Sequence, residues 1–158
     1  MTIQLGVFGV LGVATTAWAV VANRRLFTGG TVGPPTALEA VYYVAGVVSL
    51  GIGWYCNVRY THQAGRGASY WAYTRALFSS WAADSAAQDY TIVNVVLLPL
   101  WTIVDGRRRD LRIPWIFFVM SLFTSLAFAM AFYLAVVERQ IRFDRAVADP
   151  DGVLARAA

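Results

Sequence analysis

Metal ligands and catalytic side chains are scarce in this sequence. Among its 158 residues there is one histidine, His62, and one cysteine, Cys56. A bis-histidine haem needs two histidines, and a zinc site takes most of its ligands from His and Cys, so neither group is expected. A lone cysteine also excludes a disulfide framework. Because the sequence has no glycine-rich phosphate loop, Ser/His/Asp set or HExxH pattern, we expect no cofactor, no metal site and no catalytic residue.

Charged residues are also few, and lysine is absent. Only 14% of the residues are charged, 58% are hydrophobic, and the mean hydropathy is +0.54. A soluble domain carries about 25% charged and about 45–50% apolar residues, so this composition favours a membrane protein. All 13 basic residues are arginines at the ends of apolar runs, and without a basic stripe nucleic acid is not an expected partner. The net charge of +4 suits contact with anionic membrane lipids.

Long apolar runs predict an all-α membrane protein with four transmembrane helices, near residues 3–22, 39–58, 86–104 and 114–137. We expect the first run to be a span and not a signal peptide, because no basic residue precedes it and Arg24 and Arg25 follow it. Capping-box spacing at Thr36 and at Ser85 predicts the starts of the second and third helices, and Pro114 suits the start of the fourth. Residues 1–148 are therefore expected to form one domain, with a short polar tail over 149–158.

Residues 70–83 are too polar to cross a membrane. Trp71, Phe78 and, less closely, Trp81 can share one face of a helix, which predicts a short interfacial helix between the second and third spans. An ordered loop is the alternative interpretation.

The charge pattern predicts an orientation in a bacterial inner membrane. Four spans place both termini on one side. The first span has basic residues only after it, and the two compact loops hold six arginines, so the positive-inside rule favours both termini outside the cytoplasm. The basic turn Arg107, Arg108 and Arg109 is expected to determine topology or to contact lipid headgroups.

Small residues recur every four positions within two of the runs. In lipid, such stripes let helix backbones approach closely, so they predict contacts between helices of this chain or with a partner. The stripe residues are Ala45, Ser49 and Gly53 in the second run, and Ser121, Ser125 and Ala129, with a second stripe of Ala127, Ala131 and Ala135, in the fourth.

Two polar features remain inside or beside the runs. Asn94 lies in the middle of the third run, where an amide needs a partner; an interhelical hydrogen bond is expected, with a ligand or ion contact as the alternative. The available partners are Asn57, Thr15, Thr16, Ser121, Thr124 and Ser125. Asp84 and Asp89 are five residues apart, which turns them about 140° apart on a helix, so helix capping explains them better than acid–base catalysis does.

From about Tyr43 to Arg139 the chain resembles a family of small bacterial integral membrane proteins of unknown function. The motifs that carry the resemblance are the stretch from Asp105 to Trp115, Ala131-Phe132-Tyr133-Leu134 followed by Glu138-Arg139, and the stretch from Trp81 to Asp89. The family brings no catalytic residues. More distantly, the chain resembles an accessory subunit of the mammalian-cell-entry (MCE) type lipid importers, which implies a lipid-import complex as partner.

These observations predict a non-enzymatic accessory subunit that stabilises or regulates a larger membrane complex. One alternative is a small ligand-binding or carrier bundle, in which Asn94, Asn57 and Tyr55 would line an internal site. The other is a membrane enzyme acting on lipids or isoprenoids, with Asp84 and Asp89 as its acid–base pair.

Overall fold

A computed structural model describes residues 2–28 and 32–148, and every regular element in them is helical. The predicted all-α class is confirmed for these residues; the predicted polar tail over 149–158 lies outside them. The elements are α1 (Thr2–Ala22), a 3₁₀ turn (Arg24–Leu26), α2 (Ala37–Ala64), a 3₁₀ turn (Gly65–Gly67), α3 (Tyr70–Leu77), α4 (Trp81–Ile92), a π turn (Val93–Leu97), α5 (Leu98–Arg108), α6 (Ile116–Phe123) and α7 (Leu126–Ala148).

Three helices are long and apolar enough to cross a membrane. They are Leu5–Ala22 within α1, all of α2, and the helix Trp81–Arg108 that α4, the π turn and α5 form together. The start of α2 follows the predicted cap, because the Thr36 hydroxyl accepts the Glu39 N–H at 3.2 Å. The predicted start of the third helix at Ser85 is wrong, because Ser80 caps it instead through the Ala83 N–H.

The fourth apolar run is not one helix, and four spans are not confirmed. The predicted helix over 114–137 is wrong because α6 ends at Phe123 and α7 begins at Leu126. The ring of Tyr133 lies 5.1 Å from that of Phe117, whereas a continuous helix would separate these residues by about 24 Å. Helices α6 and α7 therefore form an antiparallel hairpin.

The break in the run is made by two hydroxyl side chains. Thr124 leaves helical geometry at φ −114° and ψ −97°, and its hydroxyl donates to the Met120 carbonyl at 2.8 Å. The Ser125 hydroxyl accepts the Phe128 N–H at 3.0 Å. These bonds satisfy backbone groups that the end of one helix and the start of the next would leave unpaired.

The hairpin is the centre of the fold. Helix α7 packs along α2, α6 packs along α1, and α5 contacts both arms, whereas in the described residues no two of the three long helices pack along one another. The core is built from both arms of the hairpin, where Ile116, Phe117, Met120, Tyr133 and Val136 are fully buried. Each long helix is thus held through the hairpin.

The hairpin also returns α7 to the end of the molecule where α1 ends. Arg139 donates from Nε to the carbonyl of Leu26 at 2.9 Å, just beyond α1. Since the 21 residues of α1 extend about 30 Å, residues 2 and 148 lie toward opposite ends of the molecule. These two residues therefore do not share one end of the molecule, and the expected side of the two termini in a membrane stays a prediction.

Residues 70–83 are helical in two pieces. The helix α3 ends at Leu77, and α4 begins at Trp81 after a break in which Phe78 has φ −113° and ψ 60°. The prediction of one uninterrupted helix over this range is therefore wrong. Trp71 and Trp81 are 72% and 92% exposed, so neither ring belongs to the core.

Candidate functional site

A buried ionic cluster of Glu39, Arg139 and Arg142, called here the Glu39 cluster, joins α2 to α7. The Glu39 side chain is fully buried; its Oε2 accepts from Arg139 Nη1 at 3.1 Å and its Oε1 from Arg142 Nη1 at 2.5 Å. A buried carboxylate is tolerated when its charge is paired and its lone pairs are used. Both oxygens of Glu39 are occupied in this way.

The two arginines of the Glu39 cluster also hold the segment between α1 and α2. Arg142 donates to the carbonyls of Val32 and of Pro34, the latter at 2.8 Å, and the Arg139 guanidinium lies 5.1 Å from the centre of the Phe27 ring. The cluster therefore joins three parts of the chain at one end of the hairpin. Both carboxylate oxygens of Glu39 and two nitrogens of each arginine bond within the protein, which indicates a structural role.

Two further hydrogen bonds connect Asp105 of α5 to α7 and to the turn after α5. Tyr133 donates to Asp105 Oδ2 at 2.7 Å, and Arg109 Nε donates to the same oxygen at 2.8 Å. The hydrogen bond to Asp105 raises the pKa of Arg109 above its ordinary value. In the basic turn predicted from sequence, Arg109 is thus paired while Arg107 and Arg108 are exposed.

The buried amide of Asn23 connects the end of α1 to the same turn. Its Nδ2 donates to the Arg112 carbonyl at 3.1 Å, and its Oδ1 accepts the Arg112 N–H at 2.9 Å. This pairing could not be predicted from the sequence pattern, because the two residues are 89 positions apart.

Asn94 lies in the π turn and is 5% exposed. The Ser121 hydroxyl lies 2.7 Å from Asn94 Oδ1, and Asn94 Nδ2 lies 3.4 Å from the Tyr90 hydroxyl. Ser121 was one of the partners expected from sequence, and the contact joins the π turn to α6. The other expected polar residue, Asn57, is half-buried on α2.

Some residues of the small-residue stripes are buried within the protein, and others lie on its surface. Ser49 and Ser125 meet at 3.2 Å between their hydroxyl oxygens, and Ala129 and Ala131 are buried at 0% and 9% exposure. With Ser121, these residues contact other helices of the same chain. Ala45 is exposed, and a Cβ at Gly53 would meet no atom within 4 Å.

No metal site is indicated in the parts of the chain that the structure describes. Over residues 2–28 and 32–148, no group of three or more His, Cys, Asp and Glu side chains could hold a metal ion. His62 and Cys56 are exposed. Asp84 is half-buried in the first turn of α4, and the exposed Asp89 accepts from its neighbour Gln88 at 2.5 Å.

An apolar groove lies between α1 and α2, with the tip of the hairpin as its floor. It has a volume of about 660 Å³. The sequence interpretation missed it, since its walls are formed by glycines and small residues that carry no chemistry of their own. Its lining residues are Gly9, Gly12, Val13, Thr16, Ala17, Val20, Val47, Leu50, Gly51, Trp54, Phe123, Thr124 and Phe128.

Comparison with known proteins gives one match. The model of a family described as "Protein of unknown function DUF2834" matches residues 41–139, a range that runs from α2 through the hairpin to Arg139 and leaves out α1. No curated protein and no solved structure matches the chain.

Proposed function

Because the chain belongs to the DUF2834 family of proteins of unknown function, as the resemblance predicted, we propose its role from its geometry: a non-enzymatic accessory subunit that stabilises or regulates a larger membrane complex. The observation that carries this proposal is that three long apolar helices rest on one hairpin without packing along one another. Much of their surface is therefore left for lipid or for another protein. An MCE-type lipid importer as the partner stays a prediction that no comparison supports.

The proposed membrane topology has three crossings and one re-entrant hairpin. The eight residues of α6 extend about 12 Å, less than half of the roughly 30 Å hydrocarbon layer. A Cβ at Gly12, near the middle of α1, would lie 2.9 Å from Thr124 Cγ2, which supports a hairpin tip at mid-membrane. A non-helical turn at that depth is tolerated where protein surrounds it, and α1 and α2 do so here.

The hairpin changes the balance of charge across the membrane. With four spans, the arginines are divided almost equally between the two sides. With α7 returning, one side carries Arg24, Arg25, Arg107, Arg108, Arg109, Arg112, Arg139, Arg142 and Arg145, and the other carries Arg59, Arg66 and Arg75. The positive-inside rule then assigns the first side to the cytoplasm of a bacterial inner membrane.

The helix α3 is proposed to lie at the opposite, extracytoplasmic interface. It follows α2 without entering another long apolar run, and its Trp71 is exposed. Tryptophan is favoured at the headgroup level, where an apolar ring with a polar N–H is accommodated.

The partner is proposed to bind beneath the hairpin tip, at Gly53 and Asn57. Ser49 of α2 contacts Ser125, the residue just before α7, and so marks the level of the hairpin tip. Gly53 and Asn57 follow Ser49 along α2, on the side of the tip away from the hairpin. Nothing lies within 4 Å of a Cβ built at Gly53, so a partner backbone can approach there. One turn further along α2, the Asn57 amide can form a hydrogen bond across such an interface.

The test is recovery of the partner with Gly53→Leu and with Gly51→Leu as the matched control. Both glycines are in α2 and both have open space at Cβ, but they project about 160° apart. Gly53→Leu should lower copurification from native membrane in mild detergent about tenfold, since helix contacts in membranes contribute about 1–2 kcal/mol. Gly51→Leu should not. Equal recovery at matched abundance, or no stoichiometric partner for the wild type, contradicts the proposal.

A small ligand-binding bundle is the second proposed function. The apolar groove between α1 and α2 favours it, and the two roles are compatible because the groove lies on the side of α2 that Gly51 faces, about 160° from the direction of Gly53.

A further inference from the structure

The depth of the groove matches one leaflet of a bilayer. Gly9 and Val20 mark its ends on α1, and eleven residues of helix extend about 16 Å, close to half of the roughly 30 Å hydrocarbon thickness. At the deep end, a Cβ at Gly9 would lie 2.9 Å from Cη2 of Trp54, so the indole crosses from α2 to α1 there. The groove therefore ends near the middle of the membrane.

The lining of the groove is almost entirely apolar. Its two hydroxyl residues donate to backbone carbonyls of their own helices, Thr16 to Gly12 at 2.7 Å and Thr124 to Met120 at 2.8 Å. A polar ligand group would lose its hydrogen bonds with water and gain none in the groove. The rim is open, since Val13 and Val47 are 71% and 64% exposed, so a hydrocarbon chain can enter from the side.

The size and depth favour an acyl chain over a partner helix. A volume of about 660 Å³ is in the range of small-molecule sites, about 300–1,000 Å³. A transmembrane helix is about 10–12 Å wide and needs contact over both leaflets, whereas this groove is closed at half that depth by Trp54.

A cation lies at the headgroup end of the groove. Arg24 follows Val20 by four residues, in the 3₁₀ turn just beyond the end of α1, and its side chain is exposed. The adjacent Arg25 is engaged with Gln140 and Asp110. Guanidinium groups form strong charge-assisted hydrogen bonds with phosphate.

We infer that the groove binds one acyl chain of an anionic phospholipid from the leaflet that contains the hairpin, with Arg24 contacting the phosphate. This inference rests on the proposed topology and is independent of the accessory-subunit role. It explains the open space beside Gly51, because a larger side chain there would occupy the volume that the acyl chain fills.

The test uses native mass spectrometry of the purified protein, delipidated and then incubated with dioleoyl phosphatidylglycerol or dioleoyl phosphatidylcholine in mild detergent. The wild type should retain one phosphatidylglycerol. Gly51→Leu, whose side chain fills the groove, should retain at least tenfold less, while Gly53→Leu should retain as much as the wild type. Matched thermal stability of both variants controls for folding.

Arg24→Gln tests the headgroup contact separately. It should lower the preference for phosphatidylglycerol over phosphatidylcholine several-fold and leave retention of phosphatidylcholine unchanged. Loss of lipid in Gly51→Leu together with loss of preference in Arg24→Gln supports the inference. Equal retention in Gly51→Leu and Gly53→Leu, no retained lipid in the wild type, or an unchanged preference in Arg24→Gln overturns it. Partner recovery with Gly53→Leu is measured independently, so failure of one proposal is distinguishable from failure of the other.

Discussion

Glu39→Gln removes the carboxylate charge between two guanidinium groups without changing the size of the side chain. The Arg139 and Arg142 side chains are 10% and 18% exposed, and Glu39 is fully buried. Removing one partner of a buried ion pair leaves the remaining charge unsolvated and typically costs about 3–5 kcal/mol. With total stabilities of about 5–15 kcal/mol, Glu39→Gln should lower the free energy of unfolding by a large fraction.

The assay is equilibrium unfolding in mild detergent, followed by circular dichroism as sodium dodecyl sulfate is added. Asp110→Asn is the matched control, because it removes a carboxylate that is 91% exposed and 3.7 Å from Arg25; exposed pairs contribute about 0–1 kcal/mol. Adding Arg139→Met to Glu39→Gln should recover part of the loss, since it removes an unpaired charge. If Glu39→Gln costs no more than Asp110→Asn, the Glu39 cluster does not stabilise the hairpin.

Three further changes test the hairpin and its ties, each measured by the same unfolding assay. Gly12→Val should cost about 1–3 kcal/mol by overpacking, because its Cβ would lie 3.3 Å from the Phe123 carbonyl oxygen, whereas Gly6→Val, with open space at Cβ, should cost little; equal effects would contradict a hairpin tip packed on α1. Tyr133→Phe should cost about 1.5–3 kcal/mol, since it removes a hydrogen bond to the Asp105 carboxylate, and no change would mean that this tie contributes nothing. Asn94→Leu and Ser121→Ala should show a coupling energy of about 0.6–2 kcal/mol in a double-mutant cycle, and additive effects would contradict the contact between them.

The first three long helices follow from composition because the length and apolarity of a segment decide whether it can cross a membrane. The prediction for the fourth run failed because hydropathy does not indicate which backbone hydrogen bonds form within an apolar segment. Thr124 and Ser125 are tolerated within transmembrane helices, so two hydroxyl residues in an apolar run of 24 did not indicate a break. The local signal was Ser125 itself, because serine favours the position before a helix start. Its hydroxyl does accept the Phe128 N–H there.

The polar contacts were predictable where few partners existed. A mid-span amide must find a hydrogen bond, and Ser121 was among the few residues available to Asn94. The capping-box spacing at Thr36 indicated only a local role for Glu39 at the start of α2. Its side chain instead pairs with Arg139, 100 positions away. Such a pairing depends on α7 reversing direction, so it could not be derived before the hairpin was known. The near-equal division of arginines between the two sides of the membrane also depended on the predicted fourth crossing.

The most direct test of the re-entrant hairpin is the side of the membrane on which α7 ends. Single cysteines at Arg107, Gln63 and Ala148, all exposed positions, are introduced with Cys56 replaced by Ser and treated in intact cells with a membrane-impermeant maleimide. We expect Ala148→Cys and Arg107→Cys both to be protected until the membrane is permeabilised, and Gln63→Cys to be labelled directly. Labelling of Ala148→Cys together with Gln63→Cys, while Arg107→Cys stays protected, would mean that the chain crosses a fourth time and that the hairpin does not exist.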